Sequence, residues 1–401
     1  MKIAWQTMRL GEVCDIRNGS TPSKGNRAYW ERGTVPWFTI DDMREQGRSI
    51  SYTKQKITQA ALKETSVKLL PEDSVLLCCT ASVGEFAITR IPLTTNQQFN
   101  GLVIRNRNQL DPNFLFHYMA TLKDGLLGIS GKTTIDFIPI SRLRDVTVPI
   151  PTLPEQQRIV GILDKAFEAI ATAKSNAEQN LQNSRSILDR RLEATFEENK
   201  DICHKELLSS IATFKNGINY TKQSNGERVG VVGVKDFQDR FAAELENIDT
   251  ISIDGCLSEA EMLRDGDLLV VRSNGNPELV GRCMLVTAVK KRTCHSGFTI
   301  RVRLSTREIL PKYLCYFMRS IASRKHLVEQ GTGTNIRSLN QQALSSLPIW
   351  FPSVEEQTTL VSKFDSISTN GRSLVAQYER KIQTINELGQ SILSRAFNGQ
   401  L

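Results

Sequence analysis

The stretch GKTTIDFIPISRLRDVTVPIPTLPEQQRIVGILD at residues 131–164 aligns without a gap on TGTNIRSLNQQALSSLPIWFPSVEEQTTLVSKFD at 332–365. The alignment pairs Thr133 with Thr334, Leu143 with Leu344, Pro151 with Pro352, Glu155 with Glu356, Gln156 with Gln357, Val160 with Val361 and Asp164 with Asp365. Each copy leaves a proline-punctuated, β-type sequence and enters an amphipathic helical pattern, so one change of structure is written twice. Repetition of this kind decides the architecture of the whole chain.

Further echoes extend outward from that core. Asn18-Gly19 recurs as Asn216-Gly217, LLPEDSVLL (69–77) as LRDGDLLV (263–270), DPNFLFHYM (111–119) as LPKYLCYFM (310–318) and SRSILDRRL (184–192) as GQSILSRAF (389–397). The offsets run from 193 to 205 residues, as loop insertions in a duplicated unit produce. Before each helical segment lie short β-branched runs broken by Gly, Asn, Asp and Pro, which predict many short strands and long loops. Pro149, Pro151 and Pro154 close the first such region, and Pro348 and Pro352 the second.

The helical segments carry narrow apolar seams. In the first, Val160, Phe167, Leu181 and Leu188 recur at heptad steps beside Leu163, Ile170 and Ala177, with Lys174 at a core position. In the second, Phe364, Tyr378, Ile385 and Ile392 recur beside Ile367, Leu374 and Leu388, with Gly371 and Lys381 as interruptions. About forty helical residues span roughly 60 Å, and such a helix cannot bury its stripe alone. The prediction is an α+β protein: two β-rich domains at 1–152 and 201–352, separated by helical segments at 153–200 and 353–401 packed as an antiparallel coiled coil.

Composition narrows the function. The 401 residues carry a formal charge of +8. Basic residues exceed acidic ones by 5 over 1–153 and by 4 over 201–353, whereas 154–200 is −1 and 354–401 is neutral. The excess therefore lies in the two β-rich regions, a distribution that permits nucleic-acid binding. No apolar run approaches the ~18 residues of a membrane helix, and MKIAWQTMRLGEV lacks a signal-peptide core, so a cytoplasmic address is expected. The eight cysteines, scattered without a secretory signal, read as reduced. Cys203-His204 and Cys294-His295 lack the companion ligands of a zinc site. Gly131-Lys132-Thr133 lacks the glycine five residues earlier that a phosphate loop needs, since Leu126 stands there. No catalytic residue, metal site or bound cofactor is expected.

At this point the residues also carry a family resemblance. LPEQQRIVGILDKAFEAI (153–170), SVEEQTTLVSKFDSI (353–367) and SILSRAFNGQL (391–401) resemble the paired helical regions of type I restriction-modification specificity subunits. So does the opening Ile16-Arg17-Asn18-Gly19-Ser20-Thr21-Pro22, followed by Tyr29-Trp30 and Val35-Pro36-Trp37. The resemblance covers essentially the whole chain. It implies a non-catalytic subunit in which 1–152 and 201–352 are target-recognition domains reading a bipartite double-stranded DNA site. The helices would dock methyltransferase subunits, two of them, with restriction/translocase subunits joining through the assembled complex. Those partners would use S-adenosylmethionine, ATP and Mg for adenine-N6 methylation, translocation and cleavage. The rival reading is a duplicated-domain scaffold that binds proteins without reading DNA.

Base reading in the major groove needs Arg or Lys for guanine and Asn or Gln for adenine, on loops of a firm scaffold. In the first domain the candidates are Lys24, Arg27, Arg44, Arg48, Asn96, Gln97 and Gln98; in the second they are Lys222, Arg228, Lys235, Arg240, Arg272, Asn274, Lys290, Lys291 and Arg292. The lysine-rich run 290–292 suits phosphates better than bases. Trp30 and Trp37 read as core. For helix pairing or partner docking the candidates are Glu155, Gln156, Val160, Leu163, Phe167, Glu356, Gln357, Phe364, Leu374, Tyr378, Ile385 and Ile392.

Overall fold

Short strands dominate wherever β-branched runs are broken by turn residues, and two long helices follow the proline clusters. The structure, a computed structural model, describes residues 5–80, 83–122, 138–200, 203–221, 223–237, 240–329 and 338–401. Lys222, the Thr133/Thr334 pair and the Gly131-Lys132-Thr133 stretch lie outside the described residues. The chain forms two units, Met1–Glu178 with Arg380–Leu401, and Gln179–Glu379. Each contains one β-rich region and a part of each long helix.

In the first unit, Gln6–Arg9 pairs antiparallel with Thr147–Ile150, the strand immediately before the first long helix. Pro149 thus lies inside a strand, but in a two-stranded ribbon, where a missing donor is tolerated. A five-stranded sheet has the order Cys14–Asn18, Phe99–Ile104, Val75–Cys78, Phe86–Thr89, Ser49–Ile50. A three-stranded sheet has Val35–Phe38 between Gln55–Ile57 and Thr94–Thr95, the last running parallel. The strand Val75–Cys78 is buried on both faces. Val75 and Leu77 join a core that includes Leu102, Phe114 and the helix residue Leu163, while Leu76 and Cys78 join Phe38 and Phe99 on the other side. This is the period of two a strand imposes. Cys78 and Cys79 consequently point into different cores, and no disulfide joins any of the eight cysteines.

The second unit repeats the plan. His204–Leu207 pairs with Pro348–Phe351. Four strands follow the order Ala212–Asn216, Thr299–Leu304, Leu268–Val271, Cys283–Leu285, and Arg228–Val232 lies between Asp249–Ser252 and the parallel Thr293–His295. Leu268 and Val270 face one core, Leu269 and Val271 the other.

The first long helix is Leu153–Glu198 and the second Val354–Phe397. They pair antiparallel inside each unit. In the first unit the Arg158 guanidinium donates to the Leu401 carbonyl at 2.9 Å, and a Cβ on Gly389 would lie 3.5 Å from the Phe167 ring. In the second, Gly371 faces Ser184, Arg185 pairs with Glu379 at 2.9 Å, and the Phe196 and Phe364 rings are 5.5 Å apart. The second helix keeps a heptad seam through Gln357, Phe364, Gly371, Tyr378, Ile385 and Ile392. Its companion row differs from the expectation: Lys381 and Leu388 are solvent-facing, Leu388 at 50% exposure, and Ser368, Val375, Ile382, Gly389 and Ala396 occupy the seam instead. Lys174 does lie half-buried in the first seam.

The structure also corrects the equivalence suggested by the SIL echo. Phe196 packs edge-on to Phe317 and Phe397 edge-on to Tyr118, each at 5.1 Å. Gln156 and Gln357, Leu163 and Phe364, Leu192 and Leu393, Phe196 and Phe397 are matched at a constant offset of 201 residues. The SIL echo runs at 205, four residues further on. Residues i and i+4 share a helix face, so a slip of one turn preserves the apolar pattern and misleads an alignment.

Candidate nucleic-acid interface

The Asn-Gly echo marks where the two sheets of each unit meet. The strand Cys14–Asn18 ends, and Gly19 passes so close to the loop after Thr94–Thr95 that an added Cβ would lie 1.9 Å from the Asn96 carbonyl oxygen. Gly217 does the same against the Ser296 carbonyl at 2.1 Å. The backbone bonds match as well. Gly19 N donates to Phe99 O and Asn96 N to Phe38 O; Gly217 N donates to Thr299 O and Ser296 N to Val232 O. Loop 96–98 and loop 296–298 are therefore one structural position, held from both sides by strand ends.

In the first unit that position carries Asn96, Gln97 and Gln98. The Asn96 amide donates to the Gln98 side-chain oxygen at 3.2 Å, and the Thr21 hydroxyl donates to Gln97. Lys24 is exposed in the preceding loop, and Arg27 opens a short turn, Arg27–Tyr29, capped by Asn26, with Glu31 at 3.6 Å. Trp30 and Trp37 pack edge to face at 5.0 Å, and their indole N–H groups donate to the carbonyls of Ser23 and Ser20, each at 3.1 Å. They hold the loop from beneath, in agreement with their reading as core. Arg44, in the helix Ile40–Gln46, pairs with Asp41 at 3.3 Å. The Arg48 guanidinium lies 4.3 Å from the centroid of the Phe86 ring.

In the second unit Lys235 and Asn274 meet across a cleft of about 470 Å³ that Tyr220, Ser273, Ser296 and Phe298 also line. Lys235 pairs with Asp249, and the Asn274 side chain accepts from the Asn276 N–H at 2.8 Å. Arg272 is held beside the same loop, its N–H donating to the Phe298 carbonyl at 2.8 Å. The other candidates lie apart from this cleft. Arg228 is exposed at the start of its strand, Arg240 pairs with Glu244 at 3.2 Å and Lys290 with Glu246 at 3.4 Å, and Lys291 is exposed. Arg292 differs from the phosphate-facing reading of its run. It grips Glu227 at 2.6 Å and donates to the Leu257 carbonyl, and the bond from Arg292 is the main cause that holds the Glu227 carboxyl below its usual range.

Sequence reasoning missed Ser296 and Phe298. Their signal was the repeat itself: offset by 200 residues, loop 96–98 falls on 296–298. His295 beside them is buried, its Nδ1 atom 2.9 Å from the Thr299 hydroxyl. Desolvation, then Arg301, holds its pKa down to about 3, so it stays neutral. His204 instead faces Glu206 at 2.9 Å.

The helix residues divide by role. Gln156 and Gln357 are fully buried and tie each helix start to its own β-rich region. Gln156 accepts from Asp111 N–H and donates to the carbonyls of Gln109 and Pro151, all at 2.8 Å. Gln357 accepts from Leu310 N–H and donates to Glu308 and Pro352 at the same distances. Glu356 forms a capping box with Ser353, and Glu155 pairs with Arg158 at 2.7 Å. Leu163, Phe364 and Ile385 are buried, while Val160, Phe167, Leu374, Tyr378 and Ile392 are half-buried.

The model of the type I restriction modification DNA specificity domain family matches residues 2–183. The StySPI type I restriction enzyme specificity subunit of Salmonella potsdam is 25% identical over 99% of this chain and 89% of its own length. The Escherichia coli EcoprrI specificity subunit is 33% identical over 42% of this chain and 43% of its own length. The chain is thus similar to type I restriction-modification specificity subunits along nearly its whole length, and its residues 2–183 match the DNA specificity domain of that family. The fold agrees. A chain solved in work on complex assembly and conformational transition of the type I R-M system superposes with a TM-score of 0.78 at 17% identity, covering 100% of this chain and 99% of that one. The HsdS subunit of Thermoanaerobacter tengcongensis gives 0.62 at 18% identity, covering 100% and 98%. Among the described residues no helix is long and apolar enough to cross a membrane.

Proposed function

We propose that this chain is the non-catalytic specificity subunit of a type I restriction-modification system and selects a bipartite double-stranded DNA target, with residues 1–152 reading one half and 201–352 the other. The observation that carries this reading is the matching placement of loops 96–98 and 296–298. One scaffold, built twice, presents Asn-Gln-Gln in one copy and Ser-Gly-Phe in the other. A fixed frame with variable tips is what two different half-sites require. The positive excess of both β-rich segments supplies attraction to phosphates, and the near-neutral helices suit protein docking.

On this reading the helices dock two methyltransferase subunits, and restriction/translocase subunits join through the assembled complex. Those partners hold S-adenosylmethionine, ATP and Mg, and the complex works in the cytoplasm. The test is to express the chain with its methyltransferase partners, map N6-methylated adenines, and then exchange residues 1–150 for those of another specificity subunit. One half of the mapped site changes and the other persists. A change in both halves refutes the division of labour.

A further inference from the structure

We infer that Phe298 reads the C5-methyl group of a thymine in the half-site met by the second unit. This rests on the reading above that the second unit meets duplex DNA. Phe298 is 63% exposed, the most exposed large apolar side chain among the described residues. Its backbone is nonetheless fixed. The Phe298 carbonyl accepts from Arg272 N–H at 2.8 Å, Gly297 N–H donates to Ile218 at 2.8 Å, and Thr299 N–H donates to Ser296 at 2.9 Å. The ring is thus projected by the scaffold and not left over from incomplete burial.

Its surroundings argue against a protein-docking patch. A patch needs contiguous apolar surface, whereas in the cleft beside Phe298 the apolar Tyr220, Val231 and Val234 are interrupted by Lys235, Asp249, Ser273, Asn274 and Ser296. The Ser296 hydroxyl, on a residue only 4% exposed, has no hydrogen-bond partner among the described residues. An unsatisfied buried hydroxyl beside an exposed ring fits a ligand offering both a polar edge and an apolar group. Base edges in the major groove offer donors and acceptors in varied patterns, but the thymine methyl is their one apolar feature. The first unit supplies the contrast. At the place of Phe298 it carries Gln98, whose amide suits a hydrogen-bonding edge and gains nothing from a methyl.

Uracil replaces thymine with loss of that methyl alone, leaving pairing and polar edge intact. The assembled complex of this chain with its methyltransferase subunits is titrated with duplexes of the mapped target in which each thymine of the second half-site is replaced singly by uracil. Burial of one methyl is worth ~0.8 kcal/mol, about four-fold in affinity. At one position uracil weakens binding by about four-fold. F298A binds the thymine duplex that much more weakly and is indifferent to the replacement, and F298L restores part of the discrimination. A second half-site without thymine on either strand overturns the inference. So does indifference of the unsubstituted complex to every replacement, or discrimination that survives in F298A. Failure to map any bipartite site instead overturns the underlying functional reading, so the two failures are distinguishable.

Discussion

Gln156 and Gln357 show how much one side chain can fix. Each amide is fully buried and makes three hydrogen bonds to the backbone at the foot of a long helix. Removing such a group leaves a buried N–H and two carbonyls without partners. Q357A should therefore destabilise the chain by about 3 kcal/mol, and Q357E should cost at least as much, because a carboxylate cannot donate to Glu308 and Pro352. Thermal unfolding checks both; a Q357E midpoint within a degree of the unsubstituted chain contradicts the assignment. The paired glutamines were visible in the sequence, but their task was not. A glutamine at a helix start reads as surface because its partners, Asp111 and Leu310, lie 45 and 47 residues away. The Asn-Gly echoes behaved similarly: visible as repeats, they hid a close approach of two strand ends that only a bare glycine allows.

Among elements, the long helices were the most legible, because a heptad pattern sustained over many turns fits little besides a long helix with a partner along its seam. Their offset was less so. With 3.6 residues per turn, rows three and four positions from Phe364 are nearly equivalent on paper, and Leu388 looked a better core residue than Gly389. The structure chooses Gly389, whose absent side chain would meet Phe167 at 3.5 Å and Ile170 at 3.8 Å. Those are ordinary contacts, so a methyl fits. G389A should raise stability by up to about 1 kcal/mol, the usual gain in helix propensity, measured as a rise in denaturation midpoint. A loss above that size would place Gly389 against a tighter neighbour. The short strands were legible as a class but not in their order, since runs such as Val75–Cys78 are buried on both faces and carry no alternation to orient them.

At the scale of the molecule, the duplication and the division of charge were readable, and loop 96–98 was singled out by its amide side chains, whereas loop 296–298 was passed over because Ser-Gly-Phe carries none of the residue types expected of a base-reading loop. The proposed function makes the helices a spacer, and a spacer has a length that can be changed. Inserting one heptad after Glu178 and one before Arg380 preserves the 3–4 alternation of both seams and keeps their facing residues in step. Seven residues add about 10 Å of helix, roughly three base pairs of B-form duplex at ~3.4 Å each. The methylated adenines of a strain carrying this variant should then map to the same two half-sites with a gap longer by about three base pairs. A one-sided insertion should instead abolish methylation, since facing residues fall out of step on one helix alone. An unchanged gap in the two-sided variant would show that something other than helix length sets the interval, and the helices would keep only their docking role.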